Sequence, residues 1–600
     1  MIRDVVLRFL LLPSLLFVTA CTESLSTKDD FNDSWADAIA LQKATDVNAQ
    51  SNIVEVNLEA IETEIELKPG VFTTMWTYNG IFPGPTIEAK VGDTLVVNFT
   101  NKLNVNTTIH WHGLELPANM DGSFTAQLPV EPGGTFRYEF TLNRAATHWY
   151  HPHIQSNIQI EKGLYGALIV RDYEEDQKFA LPETETTIIL DDILLNDAGQ
   201  IEPAMEEKIN VDPIENALTQ LNGRVGNGFL INGKLLPNDT LGDDIQTIKV
   251  RSGHPVRLRL INAANATFFR LSIPNHILYK IGGDSGLIST PIPAEPIDII
   301  FNETQQSLST GSRNKIRPRD GGPQQFYSNP DLAKGIMIVP GERADVIFTP
   351  IGEAGQTENI EWHFFPRGLH GVEDDGTGNL VINHNHTPAL AAPVRILKFE
   401  FIEHEEPTHV SYSPPVTLKA TTPIVTDENT PILPIVFGHS NPDVNGDINF
   451  FASKDKLPFT QLDDSTALNA KIGETYIWEV TNLSQGDHPF HPHGFTFQHI
   501  STEYIDQNAE VTSVMEYPAL VETKDTIRIP GRRGLKGQSR TIVKLAVQFD
   551  ETNRVGQIEA IGKTPTSNPD GTVSPGGWFV HCHILEHANR GMGTYLNLTY

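Results

Sequence analysis

Histidines grouped in short motifs are the residues of this 600-residue chain best suited to metal chemistry. Ten of its 21 histidines fall in four motifs, each with an H-x-H pair. Residues i and i+2 of a β-strand project to the same face, so each pair presents two imidazoles in one direction. Together the pairs can supply a centre of several metal ions. The motifs are HWHG (His110, His112), WYHPH (His151, His153), HPFHPHG (His488, His491, His493) and HCHILEH (His581, His583, His587).

A second group of possible ligands lies outside the pairs and includes one of the two cysteines of the chain. It consists of His488, Cys582, His587 and Met592. Two histidines, a thiolate and a weak thioether form the ligand set of blue-copper electron-transfer sites. A catalytic zinc site and a nucleophilic Cys–His pair are the alternatives. The first lacks the H-E-x-x-H signature and needs only three protein ligands, and the second leaves the other histidines without a role.

An internal repeat indicates the elements that position these residues. The segments GDTLVVNFTN, GHPVRLRLIN and GETYIWEVTN begin at Gly92, Gly253 and Gly473, and each ends on asparagine. Alternating branched or aromatic residues between glycine and asparagine are typical of a half-buried strand flanked by turns. Long helical periodicity is absent, and the wide spacing of the repeat indicates duplicated domains. We therefore predict an all-β chain of three Greek-key β-sandwiches, with boundaries near 172–178 and 383–393.

The composition limits the partners of the protein. The formal net charge is −31, and nucleic-acid binding needs clustered Lys and Arg, so we expect no nucleic acid as a partner. No long apolar run follows the N-terminal segment, so we expect no membrane-spanning segment in the body of the chain.

The N-terminus predicts export. Two arginines precede an apolar core and a run of small residues, which is the layout of a secretory signal peptide. The ending VTAC resembles a bacterial lipobox, in which the cysteine, here Cys21, is lipidated and becomes the first residue of the mature protein. We expect a lipoprotein-type signal peptide at 1–21 and a polar tether at 22–50. The expected location is the bacterial periplasm or cell surface, with membrane contact only through a lipid anchor in the outer membrane.

At the histidine motifs the chain resembles the multicopper oxidases, a family that includes laccases and cuprous, ferrous and bilirubin oxidases. The resemblance runs from about residue 50 to the end and includes YNGIFPGPTIEAKVGDTL, GFLINGKLLP and PGERADVIF. It implies three cupredoxin-like domains, at 51–175, 176–390 and 391–600, the third of which carries the type 1 copper. It also implies copper as the cofactor, as one type 1, one type 2 and two type 3 ions.

The resemblance also assigns the copper ligands by position in the motifs. It gives His488, Cys582 and His587 with axial Met592 to the type 1 copper, His110 and His491 to the type 2 copper, and His112, His151, His153, His493, His581 and His583 to the type 3 pair.

The activity implied by the resemblance is one-electron oxidation of a reducing substrate, coupled to four-electron reduction of dioxygen to water. Electrons enter through the edge of His587 and reach the cluster through the Cys582 thiolate. Asp121, in HWHGLELPANMDG, matches an acidic residue that relays protons in bacterial members; a turn role for Asp before Gly is the alternative. A carboxylate that often follows the last type 1 histidine is replaced here by Ala588.

The methionines bear on the identity of the reducing substrate. Cuprous oxidases of this family often carry a Met-rich insert near the type 1 site, whereas the seven methionines of this chain are scattered. A laccase-like enzyme that oxidises phenols or aromatic amines is therefore expected. Two alternatives stay open: a periplasmic oxidase of Cu(I), Fe(II) or Mn(II) that serves metal tolerance, and a copper-sequestering protein without enzymatic activity.

Overall fold

The computed structural model describes most of the chain beyond residue 34, so Cys21, the predicted signal peptide and part of the predicted tether lie outside the described residues. The described residues are 35–208, 211–237, 245–297, 334–363, 365, 367, 371–374, 380–383, 393–403, 414–415, 417–458, 467–516, 522–532, 539–549, 566–567, 573–574 and 577–599.

The first β-sandwich combines a sheet of order β2-β1-β4-β6 with a sheet of order β3-β8-β7-β5. Its strands are β1 (Ile53–Lys68), β2 (Val71–Tyr78), β3 (Gly84–Lys90), β4 (Thr94–Asn101), β5 (His110–His112), β6 (Thr135–Thr141), β7 (Ala146–His151) and β8 (Gly166–Arg171). Two short helices follow β7 and β8, α1 (Ser156–Glu161) and α2 (Tyr173–Lys178).

The second β-sandwich combines sheets of order β11-β10-β9-β13-β18-β15-β16 and β12-β22-β19-β14-β17, and β20 and β21 pair separately. Its strands are β9 (Glu185–Ile193), β10 (Gly228–Ile231), β11 (Lys234–Leu235), β12 (Thr247–Val250), β13 (Val256–Asn262), β14 (Phe269–Ser272), β15 (Leu278–Gly283), β16 (Gly286–Ala294), β17 (Ile336–Ile338), β18 (Arg343–Phe348), β19 (Thr357–Trp362), β20 (Gly371–Asp374), β21 (Leu380–Asn383) and β22 (Val394–Phe401).

The third β-sandwich combines sheets of order β24-β23-β26-β31-β28-β29 and β25-β35-β34-β27-β30, with a separate pair β32-β33. Its strands are β23 (Ile432–His439), β24 (Phe450–Ala452), β25 (Leu468–Lys471), β26 (Thr475–Asn482), β27 (His488–Pro492), β28 (Phe497–Ile505), β29 (Val511–Glu516), β30 (Ile527–Ile529), β31 (Arg540–Gln548), β32 (Thr566–Ser567), β33 (Val573–Ser574), β34 (Trp578–Cys582) and β35 (Gly593–Thr599). The predicted all-β class is thus confirmed.

One longer helix, α3 (Pro213–Asn222), is inserted between β9 and β10 of the second sandwich. Its start is defined locally: the Asp212 side chain accepts hydrogen bonds from the amides of Ile214 and Glu215, and Pro213 occupies the first helical position. A short helix α4 (Leu585–Asn589) follows β34. None of the helices in the described ranges is long and apolar enough to cross a membrane.

The repeated segments occupy equivalent central positions in the three sandwiches. Each forms a strand (β4, β13 or β26) that pairs in parallel with the opening strand of its domain, on one side, and antiparallel with a later strand on the other side. Strand β26 alternates between buried and half-buried residues, as predicted. In β13 every residue is buried instead, because Arg259 on its outer side contacts Thr147 of the first sandwich.

The asparagine that ends each repeat makes the same set of hydrogen bonds in all three domains. Asn101, Asn262 and Asn482 are fully buried, and each accepts a hydrogen bond from the amide two residues later. Each side-chain amide also donates to at least two backbone carbonyls, which for Asn262 are those of Thr267 and Ile338, both at 2.9 Å. The residue predicted to mark a turn therefore also ties the following loop to a more distant strand.

The predicted boundary between the second and third domains differs from the structure. Strand β22 begins at Val394, after the predicted boundary, yet pairs with β12 and β19 of the second sandwich. The strand order of the sheet therefore extends the second domain to at least Phe401. A composition rich in Ala, Pro and Asn at 383–393 indicated a break that the pairing of β22 overrides, because strand pairing is decided by contacts distant in sequence.

Replacement of one asparagine tests the contribution of the hydrogen bonds that Asn101, Asn262 and Asn482 share. Asn262→Ala removes three buried hydrogen bonds and leaves the Thr267 and Ile338 carbonyls without this donor. We expect the free energy of unfolding, measured by denaturant titration, to fall by about 2–4 kcal/mol. Asn469→Ala on β25, where the side chain is exposed, is the control and is expected to cost less than about 0.5 kcal/mol. Equal losses of unfolding free energy in Asn262→Ala and Asn469→Ala would contradict a stabilising role of the Asn262 hydrogen bonds.

Candidate metal centres

The structure brings the predicted ligands into two buried clusters. Each of the ten motif histidines is at most 5% exposed, and Cys582 and Met592 are fully buried. Sets of potential ligand atoms lie within 4.8 Å of one another. In the first cluster the sets are His110–His112–His151, His110–His491–His493, His153–His493–His581 and His112–His491–Asp525; in the second the set is His488–Cys582–His587.

The first cluster lies where the first and third sandwiches meet. Strand β5 pairs with β7 so that His110 lies opposite His151, and β27 pairs with β34 so that His491 lies opposite His581. The two halves contact each other through stacked imidazoles, since the ring centroids of His110 and His493 are 3.9 Å apart. His112 and His491 stack at the same distance. Neither half is a complete site alone, so the cluster depends on the association of the two domains.

Backbone carbonyls orient the rings of this cluster. The Nδ1 atoms of His110, His491 and His581 donate hydrogen bonds of 2.8 Å to the carbonyls of Asp121, Asp525 and Cys582. Such a hydrogen bond leaves Nε2 deprotonated and available to a metal. The Nε2 atoms of His110 and His491 are buried and have no hydrogen-bond partner among the residues that the structure describes. For His112 the arrangement is reversed, because Nε2 contacts the Thr526 hydroxyl at 3.1 Å and Nδ1 has no partner in the same described ranges.

Lowered pKa values of histidines in the first cluster favour metal binding over proton binding. Burial lowers the pKa of His112, His151 and His153 well below the ordinary value, and neighbouring imidazoles lower it further. Burial likewise lowers the pKa of His493 to about 4. These four histidines are therefore neutral near pH 7 and can offer nitrogen lone pairs to a metal ion. Buried nitrogen atoms that lack hydrogen-bond partners and face one another fit a set of bound copper ions.

The second cluster has the donor set of a blue-copper site. The Cys582 Sγ atom lies 3.5 Å from His488 Nδ1 and 3.7 Å from His587 Nδ1. The two Nδ1 atoms are 3.2 Å apart, so all three donor atoms converge. The Met592 amide donates to the His587 carbonyl at 2.9 Å, and the Cys582 amide donates to the Met592 carbonyl at 3.0 Å. These backbone bonds hold the predicted axial residue beside the other three.

Comparison with known proteins agrees with this geometry. Three sequence profiles described as Multicopper oxidase match residues 59–175, 185–310, and 429–542 with 571–598. The chain belongs to the multicopper oxidase family. Copper is therefore the cofactor that the two clusters are built to hold.

Several members of the family are similar to this chain. It is 32% identical over 241 residues to the multicopper oxidase MmcO of Mycobacterium tuberculosis, covering 37% of this chain and 45% of that protein. It is 25% identical over 566 residues to Laccase-1 of Thanatephorus cucumeris, covering 90% and 89% of the two chains. A solved structure of a multicopper oxidase from Campylobacter jejuni, described as a metallo-oxidase, superposes with a TM-score of 0.66 at 23% identity over 94% of each chain.

The matches differ in extent. A copper resistance protein A homolog of Pseudomonas syringae pv. tomato is 28% identical, over 56% of this chain and 58% of that protein. The matched region thus spans about half the length of this relative and of MmcO, whereas it spans most of Laccase-1.

The two copper clusters are joined by adjacent residues of β34. Cys582 lies in the blue-copper cluster, and its neighbours His581 and His583 lie in the other cluster. The hydrogen bond from His581 Nδ1 to the Cys582 carbonyl adds a second connection through the backbone. This arrangement agrees with the sequence-based prediction that Cys582 connects the two centres.

The edge of His587, where electrons were predicted to enter, is covered by a residue of the second domain. Its Nε2 donates a hydrogen bond of 3.1 Å to the carbonyl of Leu221, near the end of α3. Phe450 stacks on the ring with centroids 4.4 Å apart, and His587 is only 1% exposed. Sequence reasoning missed this cover because α3 lies more than 350 residues away and carries no ligand motif.

Asp121 lies directly beside the first cluster. Its Oδ2 is 2.8 Å from His493 Nδ1, and its Oδ1 is 3.4 Å from His110 Nδ1. Burial alone raises the pKa of Asp121, but the facing His493 and His110 rings hold it well below the ordinary value. Asp121 ends a short 3₁₀ turn, so the predicted turn role and the contact with the cluster coexist.

Ala588 and His148 bring no charge to the clusters. Ala588 lies on α4 and supplies no carboxylate. His148 is fully buried next to the cluster, and its ring nitrogens have no hydrogen-bond partner within the described part of the chain. Burial, together with the charge of Arg343, lowers its pKa to about 3, so it is a neutral packing residue.

Proton release during copper loading tests the blue-copper cluster. Burial raises the pKa of the Cys582 thiol well above its ordinary value, so the copper-free protein carries the thiol form at pH 7. Because copper binds the thiolate, we expect Cu(II) loading to displace about one proton from Cys582. His488 is expected to release none, because burial lowers its pKa well below the ordinary value. Calorimetric titrations in two buffers with different heats of protonation measure this number.

Cys582→Ser is the control for that titration. Without the thiol, the variant is expected to lose the blue absorption and the proton that Cys582 releases, while the other cluster still binds copper. Equal proton release by both proteins would contradict the proposed role of the thiol.

Proposed function

We propose that this protein is an oxidase that takes single electrons from a small reducing substrate and uses them to reduce dioxygen to water. The observation that carries the proposal is the placement of Cys582 in one cluster while His581 and His583 lie in the other. A site that only stores copper has no need of two clusters joined by one tripeptide.

The proposed ligand assignment follows the sequence motifs. Copper, when bound, supplies the electron transfer and the dioxygen chemistry, while the protein supplies ligands and orientation. We assign His488, Cys582, His587 and Met592 to type 1, His110 and His491 to type 2, and His112, His151, His153, His493, His581 and His583 to type 3.

The residues of the chain then have distinct tasks. With copper bound, the side of His587 that contacts the Leu221 carbonyl would be the entry route for electrons, and Cys582 would connect that centre to His581 and His583. Asp121 relays protons, because its carboxylate contacts the rings of both His493 and His110. Ala588 leaves the protein without the second carboxylate expected at that position.

Phenols and aromatic amines are the proposed substrates. The full-length similarity to a fungal protein named Laccase-1 and the scattered methionines support this class. Oxidation of Cu(I), Fe(II) or Mn(II) is the second candidate. It is supported by the cover of His587 by Leu221, which keeps a bulky aromatic ring from direct contact with the imidazole, and by relatives named for copper resistance.

The proposed location is the bacterial periplasm or the cell surface, with a lipid anchor at Cys21. This proposal is based only on the signal-peptide and lipobox patterns, because both lie outside the described residues.

Oxygen uptake by the copper-loaded full-length protein tests the activity. A panel of a phenol, an aromatic amine, Cu(I), Fe(II) and Mn(II) is supplied separately, and oxygen consumption is followed with an electrode. We expect uptake with the phenol and the aromatic amine. Uptake only with a metal ion would favour the second candidate, and no uptake with any donor would indicate a copper-sequestering protein.

Asp121→Asn tests the proposed proton relay. Loss of the ionisable group is expected to lower turnover by about 100-fold, while the type 1 copper is still reduced at the rate of the unmodified protein. Stopped-flow reduction under anaerobic conditions and steady-state oxygen uptake separate these two steps. Asp93→Asn, at a buried carboxylate that accepts from the Lys90 amide in the first sandwich, is the matched control and should leave turnover unchanged. Similar losses in both variants would contradict the relay.

A further inference from the structure

Among the described residues, the second domain contributes no histidine to either cluster, yet it contacts the first cluster directly. Gly341, just before β18, has a φ of +85°, and a Cβ atom there would lie 2.9 Å from His583 and 3.0 Å from His112. Side chains are therefore excluded at this position by both space and backbone conformation. The second domain thus forms part of the wall around the proposed type 2 and type 3 coppers.

Two residues beyond Gly341, the Arg343 side chain connects all three domains. It is fully buried, and its Nε donates to the Thr147 carbonyl of the first domain at 3.0 Å. Its Nη1 donates to Asp525 Oδ1 of the third domain at 2.7 Å, and its Nη2 donates to Asp525 Oδ2. The remaining donors bind the carbonyls of Gly341 at 3.0 Å and Asp284 at 2.9 Å. All five N–H groups of the guanidinium are thus used.

The carboxylate held by Arg343 belongs to a residue that orients two copper ligands. The Asp525 backbone carbonyl accepts the 2.8 Å hydrogen bond from His491 Nδ1, which leaves Nε2 for the proposed type 2 copper. Asp525 Oδ1 lies 3.3 Å from His112 Nε2 and accepts the Thr526 hydroxyl at 2.9 Å. The same hydroxyl contacts His112 Nε2 at 3.1 Å. Movement of Asp525 therefore changes the direction of both imidazoles.

The ion pair between Arg343 and Asp525 explains why the HWHG motif ends in glycine. Gly113 has a φ of +88°, and a Cβ atom there would lie 2.2 Å from Arg343 Nη2 and 2.7 Å from Asp525 Oδ2. The first domain therefore leaves space for the ion pair formed by the other two domains. Segments of all three domains therefore meet at the ion pair between Arg343 and Asp525.

We infer that Arg343 of the second domain is a positioning residue for the type 2 copper, acting through Asp525 on the proposed type 2 ligand His491, and that the same carboxylate also contacts the neighbouring proposed type 3 ligand His112. The inference depends on the proposed assignment of His110 and His491 to type 2. Residues that orient metal ligands typically change metal affinity by about 10- to 100-fold when they are replaced. A bidentate guanidinium is needed because lysine has three donors on one atom and cannot hold both carboxylate oxygens in one plane.

Arg343→Gln in the copper-loaded full-length protein tests the inference. We expect the affinity for type 2 copper to fall by about 10- to 100-fold, measured by copper-buffered titration of the type 2 electron paramagnetic resonance signal. The blue absorption of the type 1 site is expected to stay at full intensity, because the contacts made by Arg343 do not include His488, Cys582 or His587. Arg343→Lys is expected to retain part of the affinity for type 2 copper, because lysine keeps the buried charge but cannot bind both carboxylate oxygens of Asp525.

Arg259→Gln is the matched control. Arg259 is also a buried arginine of the second domain, and it binds Thr147 Oγ1 at 3.2 Å, Asp345 at 3.0 Å and Glu185 at 3.1 Å, without contact to a copper ligand. The Arg259→Gln substitution should lower the unfolding midpoint while leaving the type 2 signal intact. Equal loss of type 2 copper in Arg259→Gln and Arg343→Gln would overturn the inference, as would unchanged type 2 affinity in Arg343→Gln.

A second pair of variants keeps the test decisive if Arg343→Gln does not fold. Arg343→Lys and Asp525→Asn alter the same ion pair more gently, and unchanged type 2 affinity in both would overturn the inference. A failure of the proposed function is distinguishable, because it appears as absence of oxygen uptake by the unmodified copper-loaded protein, whereas the inference about Arg343 is tested by the type 2 affinity of the variants relative to the unmodified protein.

Discussion

The pairing of β27 with β34 is the constraint on which both copper clusters depend. Phe490 lies opposite Cys582 and His491 lies opposite His581, so the two strands are in a single register. Because successive side chains alternate between faces, His488 and Cys582 then share one face, while His491 and His581 share the other. A slip of one residue would mix the ligands of the two clusters. The same register therefore defines both sites and the short path between them.

The electrostatics of the clusters follow from burial. Imidazoles removed from water at the contact of the first and third domains lose their tendency to bind protons, and the Cys582 thiol retains its proton. Within the described residues, one ring nitrogen each of His112, His151 and His153 is buried without a hydrogen-bond partner. Such an arrangement is costly for an empty polar cavity and favourable for a metal site, which links the stability of the interface to copper binding.

The second domain has a larger part in the sites than its lack of ligands indicates. It covers His587 with the Leu221 carbonyl, packs Gly341 against His112 and His583, and holds Asp525 with Arg343. One domain thus covers a ligand of the second cluster and contacts ligands of the first. Within the described residues, the ligand sets come from the outer two sandwiches, and the middle sandwich supplies contacts around them.

The sequence by itself determined the features that depend on neighbours along the chain. The H-x-H pairs, the alternation of the repeats and the placement of Cys582 between two histidines required only the period of a β-strand, and the structure places the predicted ligands together in two clusters. Only the tertiary structure decided which ring nitrogens of His110, His112 and His491 lack a hydrogen-bond partner among the described residues, the covering of His587, the contacts of Arg343 and the extension of the second domain to Phe401. These features arise from contacts between residues far apart in the chain, and the strength of such contacts depends on burial and geometry that no local pattern contains.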